Sequence, residues 1–89
     1  MQHNKILDAG RVLDRPALHA ELQAVLEFPG YYGRNLDALY DCLTDISEET
    51  TLLIIDSEKI SSLGEYAERF YKTLSDAAEE NPKFNYRLY

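Results

Sequence analysis

The run "TLLIID", Thr51 to Asp56, lies near the middle of the chain and does not alternate. A strand with one solvated face needs a polar residue at every second place. Four consecutive aliphatic residues of β-prone type fit instead a strand buried on both faces of a parallel sheet. Parallel neighbours cannot be joined by a hairpin. Each needs a crossover of a dozen or more residues, usually helical and right-handed.

The flanking segments supply such crossovers. "KILDA", Lys5 to Ala9, reads as a short first strand. Asp14 is placed to cap a helix, with Pro16 tolerated in its first turn. Leu18, Leu22, Val25 and Leu26 fall on one face of that helix. Pro29 disfavours helical geometry at Phe28, so the helix should stop there. His19 lies near the apolar face and reads as a surface or half-buried histidine, since no metal-ligand partners are near it in sequence. Gly30 and Gly33 bracket Tyr31 and Tyr32 in a turn. Asn35 then caps a second, short helix whose core stripe is Leu36, Leu39, Tyr40 and Leu43. After the central strand, "SEKISSL" is a weak short helix ended at Gly64. The longest helix runs from about Glu65 to Glu80, with Ala67, Phe70, Leu74, Ala77 and Ala78 inward, and Asn81-Pro82 ends it. "KFNYRLY" alternates as a terminal strand. The expected fold is α/β, in the order β-αα-β-αα-β. A small three-stranded parallel sheet packs against about four helices in a single domain spanning residues 1–89.

The second helix breaks the ordinary rules of helix design. On a wheel at ~100° per residue with Leu36 at zero, Leu39, Tyr40 and Leu43 lie within ~60° of it. Asp37 falls near ~100° and Asp41 near ~140°, with Thr44 between them and the stripe. The two carboxylates are neighbours on one flank. Like charges at this spacing destabilise a helix by roughly 0.2–0.5 kcal/mol. Asp41 and Asp45 also sit toward the negative end of the helix dipole, at about another 0.3–1 kcal/mol each. No Lys or Arg occurs from Asn35 to Glu58, against Asp37, Asp41, Asp45, Glu48, Glu49, Asp56 and Glu58. Rules broken without local gain tend to mark function.

Three readings of this flank stand beside one another. It is a solvated acidic face, a divalent-cation site, or a surface for a basic protein. The cation site is disfavoured, because two carboxylates at this spacing are too few oxygen ligands and no acidic loop motif adds more. Tyr31 and Tyr32 favour the protein surface, since tyrosine is enriched in interface cores. The competing reading folds one or both rings back into the core.

Composition narrows the classes further. A net charge of −7 argues against direct binding of nucleic acid or of an anionic membrane surface. "LLII" is the longest strongly apolar run, far short of a membrane span. The N-terminal "MQHNKILDAG" lacks the pattern of a signal peptide, so a cytoplasmic protein is expected. Cys42 is the only cysteine, which rules out an internal disulfide, and it reads as a small buried hydrophobe rather than a reactive thiol. No Ser/His/Asp or Cys/His arrangement and no phosphate-binding glycine loop stands out. An enzyme is not expected, and neither is a cofactor or a resident metal.

The segment "FPGYYGRNLDALYDCLTD", Phe28 to Asp45, resembles the signature of the barstar family, intracellular inhibitors of the secreted bacterial ribonuclease barnase. The match in "YYGRNLDALYDCLT" is close and ungapped, and the remaining elements agree in outline over essentially the whole chain. The resemblance implies a three-stranded parallel sheet packed with helices. It also implies that the loop and short helix dock into the ribonuclease groove and block RNA. The aspartate matching Asp41 would take the place of a phosphate, against cations of the enzyme. The residue matching Asp37 would pair with further cations. Tyr31 and Tyr32 match aromatic contacts. Gly33, Asn35, Leu36, Ala38, Tyr40 and Thr44 match loop and helix contacts. Asp76 and Glu80 match acidic positions that extend the interface.

The chain departs from the family pattern in four places. Tyr40 stands for a tryptophan, Asp45 and Ile46 for a glycine and a tryptophan, and Gly30 for an acidic residue. Asp45 should favour a more cationic rim opposite it. The expected function is inhibition, in a 1:1 complex, of a basic extracellular-type ribonuclease similar to barnase. The alternative is an immunity protein or antitoxin that neutralises a different toxin nuclease on the same scaffold.

Overall fold

A computed structural model describes residues 2–89. Strand β1 spans His3–Asp8 and is followed by a three-residue 3₁₀ turn, Ala9–Arg11. Helix α1 spans Arg15–Val25, α2 Leu36–Thr44, and strand β2 Thr50–Ile55. A 3₁₀ segment, Ser57–Leu63, leads into α3, Glu65–Glu80, and β3, Phe84–Leu88, closes the chain. The sheet has the order β1-β2-β3, and both pairings are parallel. This is the expected small α/β fold, with the fourth helix realised as the 3₁₀ segment.

Caps set the helix starts. The Asp14 carboxylate accepts the Ala17 N–H at 2.8 Å, and the Asn35 side-chain carbonyl accepts the Ala38 N–H at 2.7 Å. Helix α3 has no side-chain cap. It starts at Gly64, whose φ of 65° suits glycine, and places Glu65 and Glu68 against the positive end of its dipole. Helix α1 ends three residues sooner than Pro29 alone suggested. Glu27 adopts a left-handed conformation at φ 56°, and the Phe28 N–H donates to the Gln23 carbonyl at 3.0 Å. That closure satisfies a terminal carbonyl and stops the helix before the proline can.

Strand β2 differs from expectation in its burial. Leu52 and Ile54 are fully buried, in rows with Leu7 and the neighbouring strands, under the helices. Its other face is not covered by helices: Ile55 is exposed there, as are Ile6 and Arg87 in the adjoining rows. The run fails to alternate because β2 is the central strand. Thr51 and Leu53, on the open face, are still shielded by strands on both sides.

The core lies between the other face and the helices. It joins Leu7, Leu52, Ile54 and Phe84 of the sheet to Leu18 and Leu22 of α1, Leu36, Leu39 and Leu43 of α2, and Phe70 and Leu74 of α3. Each such side chain contributes about 1.5–3 kcal/mol on burial. Helix α2 is thereby fixed along three leucines, which determines the direction its other residues face.

Candidate functional site

The loop from Leu26 to Arg34 carries the two tyrosines, and they part company. Tyr31 is 89% exposed and Tyr32 only 6%. The Tyr32 ring packs on Phe28 with centroids 4.9 Å apart. Its hydroxyl lies 2.6 Å from Nδ1 of His19, and Nε2 of the same histidine lies 2.6 Å from the Tyr66 hydroxyl. A neutral imidazole has one donor and one acceptor nitrogen. One tyrosine therefore donates to His19 and the other accepts from it. Of the two expected aromatic plates, one faces outward and the other anchors the loop.

His19 is not a surface histidine. It is 1% exposed and links α1, the loop and α3. Burial holds its pKa below the ordinary value, helped by the nearby Arg34 guanidinium. Burial also pushes the Tyr32 hydroxyl well above the usual tyrosine range, so it stays protonated.

The rest of the loop is held by short polar contacts. Gln23 donates to the Pro29 carbonyl at 3.0 Å and accepts from Nε and Nη2 of Arg34. The Tyr32 N–H donates to the Pro29 carbonyl at 3.0 Å. The turn does not rely on left-handed glycines at Gly30 or Gly33; Glu27 and Arg34 take that conformation. Gly33 sits at a close approach instead. A Cβ there would come within 3.2 Å of the Ala38 Cβ, so the loop passes close over the first turn of α2.

Helix α2 buries Leu36, Leu39 and Leu43 and leaves Ala38, Tyr40, Cys42 and Thr44 half-buried along its margins. Asp37, Asp41 and Asp45 are exposed, and no ion pair among the described residues involves them. The Thr44 hydroxyl is occupied at home, donating to the Tyr40 carbonyl at 2.9 Å. The Cys42 thiol is pushed up by burial and then by Asp41 and Asp45, which keeps it protonated and unreactive.

Nine of the thirteen expected residues fall into three groups, and Tyr32, Gly33, Ala38 and Tyr40 line neither of the two pockets. Tyr31, Asp41, Thr44 and Asp45 line one groove, whose other wall includes His3 and Lys5. Those two are already engaged: Lys5 pairs with Glu27 at 3.0 Å and His3 lies 2.7 Å from Glu48. Asn35, Leu36 and Asp37 line a separate pocket at the other end of α2. Asp76 and Glu80 are exposed on α3, and Asp76 is held by Lys72 at 3.3 Å. Among the described residues no His, Cys, Asp and Glu side chains gather in a group that could hold a metal ion.

One positioning residue was not foreseen. Asn81 is 8% exposed, and its Nδ2 donates to the carbonyls of Leu43 and Ile46, both at 3.0 Å. Its Oδ1 accepts the Lys83 N–H at 3.0 Å. A single amide thus closes the C-terminal end of α2 and starts the approach to β3. In sequence, Asn81-Pro82 signals only a helix end. Its reach to a carbonyl 38 residues earlier has no local signal.

These features define a small α/β domain that presents an acidic helix, fixed at both ends, beside one exposed aromatic ring. The chain belongs to the barstar family: the family described as Barstar (barnase inhibitor) matches over residues 2–89. It is also 40% identical over 79 residues to a protein of Bacillus subtilis (strain 168) named "Putative ribonuclease inhibitor YrdF", a match covering 85% of this chain and 87% of that one.

Proposed function

We propose that this protein inhibits a barnase-like bacterial ribonuclease by laying α2 and the Tyr31 loop into the enzyme's RNA groove. The observation that carries this reading is the outward face of α2. Asp37, Asp41 and Asp45 are exposed and, among the described residues, take part in no ion pair, and Tyr31 shares a groove with two of them. A ribonuclease groove is cationic because RNA is anionic. A carboxylate can occupy a phosphate's position there in charge-assisted hydrogen bonds. The family and the name of the Bacillus subtilis relative support the same reading. In it the protein acts in the cytoplasm of the producing cell, as a stoichiometric partner rather than an enzyme.

The 1:1 complex should bury about 1,600 Å² in total, the usual size for an enzyme and its protein inhibitor. Titration of the protein against RNA cleavage by a barnase-type ribonuclease should give a sharp equimolar endpoint. Absence of inhibition at micromolar protein excludes barnase-type enzymes as the target. Asp45 and Ile46 then become the pointers to the second reading, an immunity protein for another toxin nuclease. Both line the groove beside Asp41.

A further inference from the structure

The chain holds nine Lys and Arg against 16 Asp and Glu, yet among the described residues three of the nine pair with a carboxylate. Lys5, Arg11 and Lys72 each pair with one. The other six do not, and of these Arg15, Arg34 and Arg69 share one pocket. All three are exposed, all three line the pocket at the N-terminal end of α2, and no ion pair among the described residues includes any of them.

Neutral groups hold them in place instead. The Arg15 guanidinium carbon lies 4.4 Å from the centroid of the Tyr66 ring, and that of Arg69 lies 5.8 Å from it. Arg34 directs Nε and Nη2 at Gln23 Oε1, at 3.2 and 2.8 Å. A guanidinium has five N–H donors, so each fork retains donors for another acceptor. Three like charges around one pocket repel one another, and among the described residues Asp37 is the one carboxylate that lines it. The opening turns of α1, α2 and α3 also meet there, adding the positive ends of their dipoles.

We propose that this pocket binds a phosphate-class oxyanion, held by the forks of Arg15, Arg34 and Arg69. Three guanidiniums and the Asp37 carboxylate leave a net charge of +2, which a phosphate dianion matches and a carboxylate does not. Planar forks also suit phosphate oxygens geometrically. The pocket is separate from the groove of Tyr31 and Asp41, and the proposal does not rest on nuclease inhibition.

The test is a titration of the full chain with sodium phosphate at neutral pH and constant ionic strength, followed by ¹H–¹⁵N NMR. Sodium acetate serves as the second arm. Phosphate should give saturable shifts at the Arg34 and Arg69 side-chain N–H groups and at the Asn35 and Tyr66 amides. Acetate should shift them far less. The double variant Arg34→Gln/Arg69→Gln alters only exposed side chains and should stay folded. It should weaken apparent phosphate affinity by about tenfold or more, the loss of one strong charge-assisted contact or greater. Non-saturating shifts, equal shifts with acetate, or an affinity unchanged in the double variant would each overturn the proposal. No nuclease enters the readout, so such a result leaves the inhibitor reading untouched.

Discussion

The Tyr32 hydroxyl meets His19 Nδ1 at 2.6 Å, and this contact separates two adjacent tyrosines into an anchor and an exposed ring. Tyr32→Phe keeps the ring but leaves a buried imidazole nitrogen without its partner. It should lower stability by about 1–3 kcal/mol in denaturant titrations. Tyr31→Ala should leave stability within about 0.5 kcal/mol, because the ring is almost wholly exposed. It should instead weaken the nuclease complex. Equal stability losses from the two substitutions would contradict the division of roles.

Acid should act through His19. Its folded pKa lies below the ordinary 6.5, so the unfolded chain takes up the proton first as pH falls. The stabilisation from neutral His19 is therefore complete above about pH 6.5 and is lost as pH drops toward its lowered folded pKa, with a limiting slope of about 1.4 kcal/mol per pH unit. Arg34 faces the same pocket and deepens the effect. Urea midpoints measured between about pH 7.5 and 5 should decline for the native chain. In His19→Gln that decline should be much shallower, on a lower baseline. A parallel decline in both proteins would place the acid response elsewhere.

Asp41 should behave as a binding residue with a small cost to its own helix. Asp41→Ala removes repulsion with Asp37 and Asp45 and an anion near the negative end of α2. The free protein should be as stable or up to about 1 kcal/mol more stable, while nuclease binding falls steeply. The matched control is Asp56→Asn. Asp56 is exposed with φ 53°, a conformation that asparagine tolerates and alanine does not. Comparable binding losses for the two would return the acidic helix to a merely solvated face. The association rate of the native pair should also fall as salt rises, since exposed charges are screened.

Asn81 tests whether the far end of α2 must be closed. Asn81→Ala removes two donors to α2 carbonyls and one acceptor for the Lys83 N–H in a buried place. A loss of about 2–4 kcal/mol is expected from calorimetry or denaturant titration. Asn81→Asp retains the acceptor for Lys83 but turns a carboxylate toward the Leu43 and Ile46 carbonyls. It should be no better than alanine. Full rescue by aspartate would show that the Lys83 contact alone matters.

Much of the architecture was legible because its causes are local. Asp14 and Asn35 announce two helices by their capping oxygens, and α3 spans Glu65–Glu80 as its periodicity requires. The leucine stripe of α2 also tells which flank must carry Asp37 and Asp41, since spacing along a helix is geometry. Those features depend on residues within a turn or two of one another. Other features do not. Which tyrosine turns inward depends on His19 and Tyr66, and the closure of α2 depends on Asn81, 38 residues beyond Leu43. The three arginines of the pocket at the N-terminal end of α2 come from α1, the loop before α2, and α3. The sequence by itself determined the order of elements, the buried stripe and the acidic flank, because period and capping act over a few residues. Only the tertiary structure decided the exposed ring, the buried histidine and the unpaired arginine cluster. Hydrogen bonds and charges respond to distance in space, and separation along the chain does not predict it.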